Sequence, residues 1–225
     1  DNEDLNGKNT ERLAGSNRYE TSAKISQKYF SSADTVILAS GKNNADALVS
    51  ASFANAHKAP ILLTNKDTTD ESVLNEISRL KAKNIIIVGG SSSVSYKVEG
   101  DMRKKGYSVR RIAGNNRYET AVNIALEGYE NPKFAILVSG QKFADALAAA
   151  PLSYLLKAPV ILTDKTEIDE VTKNYILNST VENVIVVGGE NAVSDSVINI
   201  IKKADVDIIY PSNDYFGNNE GEPVG

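Results

Sequence analysis

The chain has no cysteine and no tryptophan, and only one histidine and one methionine in 225 residues. Without thiols it forms no disulfide, no thiolate zinc site and no cysteine nucleophile, a composition that suits either the cytosol or a bacterial surface. No apolar run approaches the roughly 18 residues of a membrane span, so no membrane insertion is expected. Acidic residues outnumber basic ones, 29 to 25, for a net charge of -4. There is no global basic field to hold nucleic acid, and an anionic partner needs a local patch. Catalytic signatures are also missing. Ser40 and Ser139 lack a G-x-S-x-G elbow, the Gly89-Gly90 pair has neither G-x-G-x-x-G spacing nor a P-loop lysine, and no D-x-D motif accompanies Asp46 or Asp145. No cofactor, metal or catalytic residue is therefore expected.

What the chain does have is an internal duplication at a constant offset of about 99 residues, seen from Arg12 to Arg111 and from Asp46 to Asp145. R-L-A-G-S-N-R-Y-E-T at 12–21 returns as R-I-A-G-N-N-R-Y-E-T at 111–120. A-D-A-L at 45–48 returns at 144–147, A-P-I-L-L-T at 59–64 returns as A-P-V-I-L-T at 158–163, and V-G-G at 88–90 returns at 187–189. His57 does not repeat: Leu156 stands in its place. Solenoid units are shorter than this, whereas about 100 residues suffices for a domain. The expected boundaries are an N-terminal tail over 1–11, repeats over 12–110 and 111–210, and a linker or tail over 211–225.

Within a repeat, apolar strands alternate with helices. Asp34–Ser40, Ile61–Thr64, Asn84–Val88 and Tyr107–Ile112 read as strands. Between them lie an alanine-rich helix opened by Asp46 and ended at Ala59-Pro60, a helix begun by Thr69-Asp70-Glu71, and a short helix after Val94-Ser95. Continuous apolar strands joined by helices predict an α/β class of two tandem three-layer α/β/α repeats, each with a mostly parallel sheet.

Open parallel sheets bind ligands at the carboxyl ends of their strands. Ser40-Gly41, Thr64-Asn65-Lys66 and Gly89-Gly90-Ser91, with their counterparts in the second repeat, fall on that edge. Several of its residues have a plain structural alternative. Gly89-Gly90 serves a tight turn or a phosphate loop, Asp46 and Asp145 a cap or a ligand contact, and Arg18 a salt bridge to Glu20 or a ligand.

These motifs, in this order and spacing, resemble the cell-wall-binding repeat 2 family over about residues 12 to 210. The resemblance implies a secreted, Gram-positive surface protein held non-covalently at the cell wall through an anionic secondary polymer. It also implies three similar repeats packed as a pseudo-threefold ring beside a separate functional domain. The family's anchoring motif matches Ile61, Leu62 and Leu63, with Val160, Ile161 and Leu162 in the second copy; as apolar strand residues they support the loops at Thr64 and Thr163. For direct polymer contact, guanidinium forks and phenol hydroxyls favour Arg12, Arg18, Tyr19, Arg111, Arg117 and Tyr118, with Thr64 and Thr163 beside them.

The sequence departs from the family at Tyr210-Pro211-Ser212-Asn213, where a third R-[LI]-A-G opening is due. A three-repeat ring does not close within these residues, which leaves three readings open: a protein of two repeats, a further repeat that completes the ring, or self-association. The leading expectation is a non-catalytic wall-binding module. The alternatives are an enzyme or nucleotide-dependent protein using the strand carboxyl edge, and a structural or protein-interaction spacer.

Overall fold

The computed structural model describes residues 12–142 and 148–211. The first repeat runs α1 (Arg18–Tyr29), β1 (Thr35–Ser40), α2 (Asn44–His57), β2 (Ile61–Thr64), α3 (Glu71–Arg79), β3 (Asn84–Val88), α4 (Tyr96–Lys104) and β4 (Ser108–Ile112). The second runs α5 (Arg117–Gly128), β5 (Phe134–Ser139), α6 (Ala149–Leu156), β6 (Val160–Thr163), α7 (Glu170–Asn178), β7 (Asn183–Val187), α8 (Asp195–Ile201) and β8 (Asp207–Ile209). The expected tails at 1–11 and, save for Pro211, 211–225 lie outside the described residues, as does Asp145.

Among the described residues there are two four-stranded sheets, ordered β2-β1-β3-β4 and β6-β5-β7-β8, and every pairing in them is parallel. The α/β class read from the sequence is thus the observed one. Because β1 and β5 are central and the chain leaves them first to one side and then to the other, strand order reverses there. Such a reversal opens a crevice at the carboxyl ends.

Side chains alternate faces along a strand, and the core follows that period. Val36 and Leu38 point with Val73, Ile77, Val98 and Met102 into an outer layer formed by α1, α3 and α4. Ile37, Ile86 and Val88 point the other way, toward α2. In the second repeat Leu137 and Val186 join the outer layer of Ile176 and Val197, while Ile136, Val138 and Val187 face inward. The two inward faces belong to a single hydrophobic cluster. It contains Val49 and Phe53 of α2, Ile124 of α5 and Ala149 of α6. Helix α2 is therefore packed between its own sheet and the second repeat, which sets the two carboxyl edges side by side.

Two lysines close the inner helices in left-handed geometry, Lys58 after α2 and Lys157 after α6. Each is followed by the Ala-Pro that starts the next strand, the stop expected from the sequence.

Candidate functional site

The R-Y-E-T motif is first a capping device. Asn17 accepts from the Glu20 amide at 2.8 Å while the Glu20 carboxylate accepts from the Ser16 amide at 2.6 Å. Asn116 and Glu119 repeat the arrangement at 2.8 and 2.7 Å. This reciprocal pairing satisfies orphan amides at the starts of α1 and α5. Glu20 pairs with Lys24 at 3.3 Å. Arg18 instead donates to the Gly41 carbonyl, and Arg117 to that of Gly140. A Cβ on Gly41 would lie 2.6 Å from the Tyr19 ring, and one on Gly140 3.1 Å from that of Tyr118. The Arg-Tyr pair and the Ser-Gly turn are thus two halves of one packing contact, which explains why both recur.

The other recurring segments lie beneath the same edge. Leu62 is fully buried and Ile61 and Leu63 half-buried, so the matched anchoring motif is a core strand; Val160, Ile161 and Leu162 are fully buried. Thr64 and Thr163 are buried too, and their hydroxyls bond to loop atoms: Thr64 to the carbonyls of Asn65 and Thr68, Thr163 to those of Asp164 and Glu167. Neither threonine presents its hydroxyl to solvent. Tyr19 is buried and donates to Asn65 at 2.5 Å. Tyr118 is half-buried, and burial first and the Asp164 charge second push its phenol up from the ordinary value.

Arg111 is committed within the fold. Its guanidinium is 2.9 Å from Glu99 and donates to the carbonyls of Gly89 at 2.7 Å and Val94 at 2.8 Å. Arg12 and Arg18 are exposed on the rim of the first repeat. Among the four arginines proposed from sequence, Arg117 alone lines the cavity at the strand carboxyl edge.

That cavity, about 590 Å³, lies between the repeats at the strand carboxyl edge. Repeat one supplies Ser40, Lys42, Asn43, Lys66 and Ser93; repeat two supplies Arg117, Ser139 and Gln141. Three cations thus converge on a wall of hydroxyls and amides. Asp46 is buried nearby, with burial raising its pKa while a bond from Ser93 and the Arg117 charge oppose that rise. Asn43, not Asp46, caps α2, accepting from Ala45 and Asp46 amides at 3.1 and 3.3 Å. Sequence reasoning located this edge but missed Lys42 as a site residue, because only the packing of α2 against repeat two turns two separate loops into one cleft. Among the described residues no group of three or more His, Asp or Glu side chains is placed to hold a metal ion. No helix of those residues is long and apolar enough to cross a membrane.

The family model for cell wall binding domain 2 matches residues 12–99 and 111–198, one match in each repeat. The chain belongs to this family. Relatives of this cell wall binding domain 2 chain include the N-acetylmuramoyl-L-alanine amidase LytC of Bacillus subtilis, 36% identical over 84% of this chain and 38% of the amidase. The amidase enhancer of the same organism is 38% identical over 86% of this chain and 26% of its own length. The chain therefore spans well under half of the curated relatives it matches. Among solved structures, Cwp6 from Clostridium difficile superposes with a TM-score of 0.82 at 28% identity, covering 93% of this chain and 36% of Cwp6. Cwp8 of the same organism gives 0.78 at 32% identity, covering 89% and 35%. Fold and family together support cell wall binding.

Proposed function

We propose that this chain is a non-catalytic module that holds a secreted protein at the cell wall by binding an anionic secondary glycopolymer in the cleft between its repeats. The observation that carries the reading is the convergence of Lys42 and Lys66 from one repeat with Arg117 from the other around a hydroxyl- and amide-lined cavity. Phosphates or carboxylates suit the cations, and the polar walls suit sugar hydroxyls. Arg12, Arg18 and Tyr118 provide outer contacts on the same edge, while Tyr19, Thr64, Arg111 and Thr163 hold its loops. The stretch shared with relatives bearing two different names, an amidase and an amidase enhancer, supports a common binding role over shared chemistry.

A further repeat has a matching place to dock. Gly128 of α5 packs on Phe53 of α2, and Ile124 of α5 is fully buried there. Phe53 corresponds to Leu152 of α6, which is half-buried, with the neighbouring Leu155 68% exposed; Ile124 and Gly128 correspond to Ile25 and Tyr29 of α1, 44% and 68% exposed. We infer that the α6 face takes the first helix of another repeat, from the same protein or another chain.

Co-sedimentation with purified walls, before and after chemical removal of secondary polymers, tests the main reading. Binding should vanish on stripping, weaken with salt, and fall in Lys42→Ala plus Lys66→Ala. Equal binding to stripped walls overturns it.

A further inference from the structure

Resting on the wall-polymer reading, we infer that Tyr96 is a sugar-stacking platform that extends the inter-repeat cleft along the strand edge of the first repeat. Tyr96 opens α4 and is 70% exposed, unusual for a large aromatic ring that is also held in place. The Arg111 guanidinium lies over its ring, 5.2 Å from the centroid, within cation–π range. Arg111 is itself fixed by Glu99 and by the carbonyls of Gly89 and Val94. One ring face is therefore occupied by a charge that cannot wander, and the ring is ordered before any ligand arrives. Preorganisation of this kind lowers the cost of binding.

Position supports the same role. Ser93 lines the cleft and Tyr96 follows three residues later, a chain reach of at most about 11 Å. The Ser95 amide, next to Tyr96, donates to the Lys66 carbonyl at 2.8 Å, tying this turn to a cleft residue. A glycopolymer whose charged group sits among Lys42, Lys66 and Arg117 can lay the face of a neighbouring pyranose ring on Tyr96. Sugar C–H groups carry partial positive charge and meet the negative face of an aromatic ring favourably. In the second repeat the corresponding residues are Asp195 for Tyr96, Ile198 for Glu99 and Tyr210 for Arg111. The ring, the guanidinium over it and the carboxylate that pairs with that guanidinium are thus particular to the first repeat, although Gly89 and Val94 recur as Gly188 and Val193.

The chain has no tryptophan, so Tyr96→Trp introduces a single indole reporter. Polymer released from Clostridium difficile walls, titrated into this variant, should shift its emission with the half-saturation seen in wall binding. Tyr96→Ala should weaken binding about five- to tenfold at unchanged melting temperature, and Tyr96→Phe should stay within about twofold, since stacking needs the ring and not the hydroxyl. Tyr96→Ala that binds like the parent, while Lys42→Ala plus Lys66→Ala loses binding, overturns the platform and leaves the cleft standing. A parent chain that fails to bind the walls overturns the cleft reading and the platform with it.

Discussion

The Asp46 carboxylate packs against the Cα of Gly89 so closely that a methyl group there would lie 2.4 Å from Oδ2. Gly89 also adopts φ +107°, in the region that favours glycine. Two recurring motifs, A-D-A-L and V-G-G, thus meet in one contact at the floor of the strand edge. The carbonyl of the same glycine accepts from Arg111.

Gly89→Ala should therefore destabilise the protein by roughly 2–4 kcal/mol, through both strain and collision with a buried carboxylate. Gly90→Ala is the internal comparison, because its nearest atom is the Ser92 hydroxyl oxygen at 3.9 Å. Denaturant melts of the two variants decide the matter: equal midpoints would mean that Asp46 and Gly89 are not in contact.

Two carboxylates should give opposite pH slopes. Bonds from Ser16 lower Glu20 to about 2 in the folded state, from 4.5. Its stabilisation is complete above 4.5 and is lost as pH falls toward 2. Burial raises Asp46 above 3.8, so its folded state binds more protons than the unfolded chain and stability falls as pH rises through that raised value. Glu20→Gln should flatten the acid limb of the melting curve, whereas Asp46→Asn should remove a loss that sets in above pH 3.8. Slopes of the same sign for both would contradict the assignment.

Tyr175 and Glu76 occupy the same place in the two repeats but are treated differently. Glu76 is buried with Ser26 at 2.5 Å and Arg79 at 2.7 Å, while Ala125 and Asn178 stand at those partners' positions beside Tyr175. The Tyr175 hydroxyl is buried with no hydrogen-bond partner among the described residues. Tyr175→Phe should leave stability at neutral pH unchanged or raise it by about 1 kcal/mol, since an unpaired buried hydroxyl is removed. Burial pushes the phenol up to about 12, so parent stability is retained below pH 10 and declines between 10 and 12 as the unfolded chain ionises first. The variant should lose part of that decline in thermal melts across the same range.

Phe53 is fully buried in the cluster that both repeats share. Phe53→Ala should cost about 3–5 kcal/mol and lower a single unfolding transition reported by probes in either repeat. Two separate transitions in the parent chain would show that the repeats fold independently.

The repeat period, the alternation of elements and the parallel sheets were legible because apolar runs such as Ile85-Ile86-Ile87-Val88 and the punctuation at Ala59-Pro60 act locally. The carboxyl edge was legible for the same reason, since three of the four strands in a repeat end in a short polar or glycine turn such as Ser40-Gly41. Arg111 was not. Its side chain matches Arg12 in sequence, yet it has the helix α4 of the preceding repeat beside it and is drawn to Glu99. Thr64 and Thr163 look like loop hydroxyls in sequence but turn inward because their own loops fold back over them.

The sequence by itself determined two copies of an α/β unit, the family they belong to, and the edge on which ligands meet such sheets. Those properties depend on local periodicity and short motifs. Only the tertiary structure decided that Lys42 and Lys66 share a cleft with Arg117, and that Tyr96 is braced by Arg111. The first depends on packing between segments far apart in the chain, where α2 is buried by the second repeat; the second depends on how α4 folds back along the adjoining β4.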